Sequence, residues 1–541
     1  MPTTQHKPAQ VTVTAGQLKE FLGDDKELAL LDVREQGPFS KAHLLFAVCL
    51  PLSRLELMID DLVPRRTTRT VVMDGGTEDA QLAQRAAARL SALGYHNVRV
   101  LAGGLAAWRK HRFEVFSGIN VPSKAFGEIV EQSCHTPHIT PQALKARLDA
   151  GESIVILDAR PLEEYRRMNI PGGIDTPGAE LVYRVRDLVP DANTPIVVNC
   201  AGRTRSIIGT QSLINAGIPN PVAALKGGTM GWRLAGLDLE HGQQRIAPPP
   251  SAQALAWAQA AAHRVGERAG VTRIDAKQLE AWRAEADERS LFIFDVRGAD
   301  EFNAGHLPDA RSAPGGQLVQ ATDEYVGVRN ARLVLVDDTE VRASMTASWL
   351  RQLGWPDVAV LAGGMGELPQ VQGPRPRHVP GLATVTTISP DTLSARLRDP
   401  SLAILDLSTS VEYTSAHIPG AWWGVRARLQ EALDALSPSQ QLVLTCHDGV
   451  LAQLAAPEVQ ALCPGLHVDV LAGGNCAWFQ AGLASEEGMV RSTTEQNDVW
   501  YKPYEHVEAD PASMQGYLTW EVELVPQIAK DGDARFRPLR D

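Results

Sequence analysis

Short, continuous apolar runs alternate with helical stretches along this chain. The runs Ile154–Leu157 and Ile196–Val198 have the length of buried strands, and the segment from Ser206 to Ala216 has the pattern of a helix. Apolar strands that alternate with helices are typical of a parallel sheet covered on both faces. Ligands of such sheets bind beyond the carboxyl ends of the strands, so candidate chemistry is expected just after a strand.

The same landmarks occur four times. Each copy has a helix N-cap residue, an apolar strand that ends in aspartate, and a later Gly-Gly turn. The N-caps are Thr14, Thr140, Asp275 and Ser389; the aspartates are Asp32, Asp158, Asp295 and Asp406; the pairs begin at Gly103, Gly227, Gly363 and Gly473. The aspartates repeat about every 110 to 140 residues, which is the size of a domain. The chain is therefore expected to form four similar α/β domains.

Composition excludes several classes of protein. The chain is 44% hydrophobic and 21% charged, with a net charge of −12. This acidic balance argues against a nucleic-acid partner. The apolar runs are too short for a membrane span and the first ten residues do not resemble a secretory signal, so a cytoplasmic protein is expected. The six scattered cysteines form neither a disulfide framework nor a zinc-binding pattern.

One position, about 40 residues after each strand-end aspartate, directly follows a second apolar strand. Its occupants are Asp74, Cys200, Asp337 and Cys446. The position lies between the end of a strand and the start of a helix, and ligand-binding and reactive residues of parallel sheets commonly lie there.

The motifs around this position resemble the rhodanese domain family. In the second copy they read LDAR from Leu157, NIPGG from Asn169, NCAGRTRS from Asn199 and KGGTMGW from Lys226. The resemblance covers all four copies and implies an α/β fold of four tandem rhodanese-like domains, each a parallel β-sheet flanked by helices on both faces. The expected ranges are 1–118 (inactive, Asp74), 137–243 (catalytic, Cys200), 270–372 (inactive, Asp337), 384–487 (undecided, Cys446) and a C-terminal tail, 488–541.

The loop after Cys200 suits a nucleophilic thiolate. A helix N-terminus and adjacent arginines both stabilise negative charge, and Arg203 and Arg205 suit a small dianionic donor such as thiosulfate. The predicted substrate-binding residues are Ala201, Gly202, Arg203, Thr204, Arg205 and Ser206. The alternatives are that Cys200 is a small buried hydrophobe and that the arginines form a solvated surface; two arginines so close to the thiol argue against the first.

Loop length bears on the reaction. Cys200 to Arg205 is one residue shorter than the C-x5-R loop of dual-specificity phosphatases, which favours sulfur transfer over dephosphorylation. The implied reaction is a double displacement through a Cys200 persulfide, with cyanide, a small thiol or a protein thiol as acceptor. It needs no metal or organic cofactor. A different class of function, a non-catalytic relay or scaffold that hands persulfide to a partner protein, stays open.

The other loops depart from this pattern. DGGTEDA, which contains Glu78 and Asp79, and DDTEVRA, which retains Arg342, both lack the thiol, so the first and third copies are expected to be inactive. CHDGVLA is similar to the loop of two-domain thiosulfate and mercaptopyruvate sulfurtransferases. Cys446 could be a second nucleophile, with 3-mercaptopyruvate as a possible donor, or could merely pack in the core.

Four further expectations concern structure. The strand-end aspartates are expected to be structural, the first three paired with Arg34, Arg160 and Arg297 two residues on, and His43, His306 and His417 are expected to bond the backbone. Copies one and two are expected to pair, as are three and four, and the aromatic tail is expected to pack on the fourth copy.

Overall fold

The computed structural model describes residues 11–76, 81–366, 368–438, 440–503 and 510–540. These residues form four parallel five-stranded sheets, one for each copy, with helices on both faces. If the strands of each copy are numbered along the chain, their spatial order across the sheet is 1-5-4-2-3. The fourth strand of each copy therefore lies at the centre of its sheet. The α/β class and the four copies predicted from the sequence are confirmed.

The first copy begins with its expected N-cap, because the Thr14 side chain accepts a hydrogen bond from the Gln17 amide. Its strands are β1 (Thr12–Val13), β2 (Ala29–Asp32), β3 (Val48–Cys49), β4 (Thr70–Met73) and β5 (Val98–Leu101). Its helices are α1 (Ala15–Gly23), α2 (Gln36–Lys41), α3 (Leu55–Leu62), α4 (Leu82–Ala92) and α5 (Gly104–Lys110), and α6 (Val121–Cys134) leads to the second copy.

The second copy begins at the Thr140 N-cap, whose side chain accepts from Ala143 N. Its strands are β6 (His138–Ile139), β7 (Val155–Asp158), β8 (Ile174–Asp175), β9 (Ile196–Asn199) and β10 (Val222–Leu225). Its helices are α7 (Pro141–Asp149), α8 (Leu162–Arg167), α9 (Glu180–Leu188), α10 (Thr204–Ala216) and α11 (Gly228–Leu234). A connecting helix, α12 (Ala252–Arg268), follows the second copy and is capped by Ser251. Every residue of the central strand β9 is buried.

The third and fourth copies repeat this plan, with N-caps at Asp275 and Ser389. The third has β11 (Thr272–Ile274), β12 (Leu291–Asp295), β13 (Arg311–Ser312), β14 (Arg332–Val336) and β15 (Asp357–Leu361), with α13 (Ala276–Ala284), α14 (Ala299–Ala304), α15 (Gly315–Gln320), α16 (Thr322–Tyr325) and α17 (Val341–Gln352). The fourth has β16 (Thr387–Ile388), β17 (Leu402–Asp406), β18 (Trp422–Trp423), β19 (Gln441–Thr445) and β20 (His467–Leu471), with α18 (Pro390–Arg396), α19 (Ser410–Ser415), α20 (Leu429–Leu436), α21 (Val450–Leu462) and α22 (Gly474–Gln480).

The strand-end aspartates and the turn histidines are structural, as predicted. Arg160 forms a buried ion pair with Asp158 at 2.7 Å, and the equivalent pairs Arg34–Asp32 and Arg297–Asp295 measure 2.6 Å. The histidines contact backbone carbonyls through Nδ1, namely His43 with Leu44, His306 with Leu307 and His417 with Tyr413.

The expected pairing of copies is wrong. The second copy faces the third, where α9 packs on α17 and α10 on α15. The first copy faces the fourth, where both guanidinium nitrogens of Arg426 donate to the Glu56 carboxylate, at 2.6 and 3.0 Å. Helix α6, which lies between the first two copies in the chain, packs on α10 of the second copy.

The expected position of the tail is also wrong. Residues around Thr493 do lie along the fourth copy, where the Thr493 hydroxyl donates to the Trp423 carbonyl. The chain then forms a final helix, α23 (Pro511–Asp531), which packs on α6 and on α11 of the second copy. Its apolar face divides into two clusters. Leu524 and Ile528 pack with residues of α6, and Met514 and Tyr517 pack with Ala201 and Met230.

Candidate active site

Cys200 lies at the carboxyl end of the central strand of its sheet. It directly follows β9, and α10 begins at Thr204, two residues earlier than the sequence predicts. Ser206 does not cap the helix, because its hydroxyl donates to the Arg203 carbonyl at 2.8 Å. The same hydroxyl lies 3.5 Å from Cys200 Sγ, so Ser206 lies behind the thiol within the first helical turn.

The glycine pair of the second copy packs against the backbone of the Cys200 loop. Gly228 has a positive φ of +57°, and a Cβ there would lie 2.3 Å from the Cys200 carbonyl oxygen. Thr229 N donates to that oxygen at 2.8 Å, and Met230 N donates to the Ala201 carbonyl at 3.0 Å. The turn therefore fixes the loop through contacts that only glycine allows.

Both arginines of the loop are paired with carboxylates. Arg203 donates two hydrogen bonds to Glu128, each 2.7 Å, and also contacts Glu131. Arg205 donates to both oxygens of Glu164, at 2.7 and 2.8 Å, and to Gln317 of the third copy at 3.3 Å. Burial raises the pKa of Glu164, but the charge and hydrogen bonds of Arg205, together with the Arg160 and Lys502 charges, outweigh burial and lower that pKa to about 2.

A small pocket lies in front of the thiol. Five consecutive residues after Cys200, Ala201 to Arg205, line it together with Lys124, Tyr517 and Glu521. The residues predicted from the sequence therefore line this pocket, with the exception of Ser206, which contacts Cys200 Sγ but does not line the pocket. The other three lining residues come from α6 and α23, outside the repeats, and no motif signals them.

The two additional ionisable groups form a buried pair. Lys124 Nζ lies 3.6 Å from Glu521 Oε1, which also accepts a hydrogen bond from the Thr204 hydroxyl at 3.3 Å. Lys124 is 5% exposed and Glu521 is fully buried. Burial lowers the pKa of Lys124 and raises that of Glu521. The pocket thus holds one lysine and one carboxylate that are separated by more than a hydrogen-bond distance.

In the first and third copies, a carboxylate occupies the site of the thiol. Asp74 accepts hydrogen bonds from the Gly76 and Ala83 amides at 2.9 and 3.0 Å. Asp337 accepts from Glu340 and Arg342 amides at 2.6 and 3.0 Å. These amides would otherwise be available to an anionic ligand, so each aspartate fills the site in its own loop. Glu78 and Asp79 lie outside the described residues.

The fourth loop surrounds its thiol differently. Cys446 is buried, and burial together with the Asp448 and Asp406 charges raises the pKa of its thiol to about 12, although the Ala452 and Leu451 amides act against this. Its sulfur lies 3.8 Å from Asp448 Oδ1. His447 does not pair with Cys446 but lies 3.3 Å, through Nε2, from the sulfur of Cys476. The thiol is therefore held in its protonated form at neutral pH.

Among the described residues, no cluster of histidine, cysteine and carboxylate side chains could hold a metal ion. Within the same ranges, we find no helix whose length and apolar character would let it cross a membrane. The six cysteines are free thiols.

Comparisons with known proteins agree with the fold. A rhodanese-like domain profile matches residues 14–111, 140–235, 275–368 and 389–481. The solved structure of a thiosulfate sulfurtransferase from Pseudomonas aeruginosa is 50% identical, with a TM-score of 0.95 over 98% of this chain and 100% of that one.

Two curated relatives match parts of the chain. An HTH-type transcriptional regulator of Mycobacterium tuberculosis is 38% identical over 104 residues, which cover 19% of this chain and only 45% of the regulator. A 3-mercaptopyruvate sulfurtransferase of Escherichia coli is 24% identical over 258 residues, covering 38% of this chain and 90% of that enzyme.

Proposed function

This chain belongs to the rhodanese-like domain family, and on that premise we propose that it is a sulfurtransferase. It moves sulfane sulfur from thiosulfate, or a related anionic donor, through a persulfide on Cys200 to a thiol or cyanide acceptor. The similar P. aeruginosa and E. coli proteins are a thiosulfate and a 3-mercaptopyruvate sulfurtransferase, which supports this reaction class. The proposed compartment is the cytoplasm.

The observation that carries the proposal is the contrast among the four equivalent positions. Asp74 and Asp337 fill the sites in their own loops, and the Cys446 thiol is held protonated. Cys200 has a pocket in front of it, lies at the N-terminus of the 13-residue helix α10 and has arginines and a lysine around it. A helix N-terminus and nearby cations are the surroundings in which proteins commonly place nucleophilic thiols.

Two displacements complete the reaction. In the first, the Cys200 thiolate attacks the outer sulfur of thiosulfate, an S–S bond forms, the sulfur–sulfonate bond breaks, and sulfite leaves with the electron pair. In the second, the acceptor attacks the terminal sulfur of the persulfide and the Cys200 thiolate leaves. No external oxidant or reductant is consumed.

Lys124 is proposed to bind the negatively charged end of the donor. Arg203 and Arg205 each hold a carboxylate through two hydrogen bonds, whereas the Lys124 ammonium lies 3.6 Å from its counter-ion. An anion in the pocket can therefore compete for Lys124 at lower cost than for either arginine.

Replacing Lys124 with methionine should raise the KM for thiosulfate by about 10- to 100-fold, the value of one hydrogen bond to a charged group. Steady-state sulfite release with cyanide as acceptor measures this change. The exposed Lys145→Met on α7 is the control and should leave KM unchanged. An unaltered KM in Lys124→Met would show that other groups bind the donor.

Intact-mass analysis tests which thiol carries the sulfur. After incubation with thiosulfate, we expect the protein to gain one sulfur atom, mapped to Cys200 by digestion under non-reducing conditions. Cys446 should stay unmodified, because burial and the Asp448 and Asp406 charges raise the pKa of its thiol and keep it from ionising. A sulfur on Cys446, from thiosulfate or 3-mercaptopyruvate, would make the fourth copy a second carrier.

The alternative of a relay that serves a partner protein differs in its acceptor. Cys200 is 2% exposed, and Tyr517 and Glu521 of α23 lie over its pocket. This closure favours small acceptors over a protein thiol. Fast transfer to one protein thiol with slow turnover on small thiols would favour the relay.

A further inference from the structure

Glu521 is the one carboxylate that lines the Cys200 pocket among the described residues. It belongs to α23, and the Thr204 residue that it contacts is 317 positions away in the chain. Its side chain is fully buried. The cost of burying a carboxylate is large unless each of its oxygens finds a partner.

The two oxygens of Glu521 differ. Oε1 accepts from Thr204 and faces Lys124, whereas Oε2 is buried without a hydrogen-bond partner among the described residues. Oε2 lies beside Gly202, where a Cβ would approach it to 3.2 Å, so it points at the loop that carries the thiol. A buried acceptor that is left unpaired inside a reactive pocket indicates a group that meets its partner only during the reaction.

We propose that Glu521 is the general base of the second half-reaction, accepting the proton of a neutral small thiol acceptor through Oε2. This inference rests on the proposed sulfur transfer. The acceptor S–H bond breaks and its proton goes to Oε2, while its sulfur attacks the terminal sulfur of the Cys200 persulfide. The new S–S bond forms, the bond to Cys200 Sγ breaks, and the Cys200 thiolate takes the electron pair. Glu521 then returns the proton to solvent.

Geometry and charge suit this role. Burial raises the pKa of Glu521 and makes it a stronger base than a surface carboxylate, while the Lys124 and Arg203 charges act in the opposite direction. The charged groups that face it are these two cations and Glu128 of α6. Lys124 would also stabilise the developing thiolate, since its ammonium lies next to the same pocket.

The small size of the pocket limits the acceptor to a small thiol or to the end of a slender one. A neutral thiol is protonated at physiological pH, so it needs a base close to its sulfur. An acceptor that enters already ionised does not. If Glu521 is a base, its loss slows transfer to a protonated thiol but not to an ionised acceptor. If Glu521 only holds Lys124 in place, its loss affects both acceptors equally.

The test measures the two half-reactions separately in the full chain with Glu521→Gln. Sulfite release from thiosulfate gives the donor step, and loss of one sulfur mass from pre-formed persulfide gives the acceptor step. With 2-mercaptoethanol at neutral pH, we expect the ratio of acceptor rate to donor rate to fall about 100-fold. With sulfite, a small anion that has no S–H proton to lose, the ratio should fall by less than about threefold. The acceptor rate of the variant with 2-mercaptoethanol should rise with pH as that thiol ionises.

The exposed Glu523→Gln on the same helix is the matched control and should match the wild type in both steps. Equal losses with the neutral thiol and with sulfite, or no loss with either, would overturn the assignment. If wild-type Cys200 gains no sulfur from thiosulfate, the proposed function itself fails. Because the variant's donor step reports an intact pocket, misfolding is distinguished from loss of the base.

Discussion

Replacing Cys200 with serine should abolish sulfur transfer from thiosulfate to cyanide, with kcat/KM falling by about three orders of magnitude or more. The seryl hydroxyl is far less acidic than a thiol, cannot form a persulfide, and would stay un-ionised beside Ser206, whose oxygen lies 3.5 Å from the sulfur. Release of sulfite and formation of thiocyanate, measured in parallel, would both be lost.

The control for this result is Cys446→Ser, which changes the equivalent thiol of the fourth copy and should retain wild-type turnover. Both variants should keep the wild-type unfolding temperature, because serine is only slightly smaller than cysteine and each site already contains polar neighbours. Substantial activity in Cys200→Ser would exclude Cys200 as the carrier and transfer that role to another thiol.

The largest expected effect on stability concerns Arg342. This guanidinium is fully buried between the second and third copies, where it donates to Glu180 at 2.9 Å, to Glu301 at 2.8 and 3.0 Å and to Asp338 at 2.6 Å. Arg342→Met would leave the buried Glu180 and Asp337 carboxylates without this cation. We expect the free energy of unfolding to fall by about 3 to 5 kcal/mol, measured by denaturant titration.

Arg147→Met is the comparison for that experiment. Arg147 pairs with Glu152 at 2.7 Å on the surface, where both side chains are substantially exposed. Such a pair contributes about 1 kcal/mol or less to stability, so the free energy of unfolding should barely change in this variant. A change of similar size in the two variants would contradict a special role for the interface of copies two and three.

Much of the fold follows from local signals. The four N-caps each accept a hydrogen bond from the residue three positions on, and the aspartate–arginine pairs lie only two residues apart. Such contacts are encoded within a few residues, so the sequence predicts them well. The Cys200 loop is equally local, because its strand, its helix and its glycine turn belong to one copy.

The remainder of the site depends on contacts that sequence spacing does not encode. The arginines near Cys200 were expected to face the donor, but Glu128 of α6 and Glu164 of α8 hold them. The chain alone does not show which carboxylate will reach a given guanidinium. Tyr517 and Glu521 were assigned to a tail with no recognisable motif, since the face on which α23 packs is formed by distant residues.

The site around Cys200 also has a consequence for dissecting the protein. The thiol, Lys124 and Glu521 come from three parts of the chain, and only the first lies within the repeat that the family profile matches. A fragment cut at the borders of that repeat would fold around an exposed sulfur and lose both ionisable neighbours. The smallest piece able to perform the full chemistry is therefore expected to be much longer than one rhodanese unit, and assays of excised single units would understate the intact enzyme.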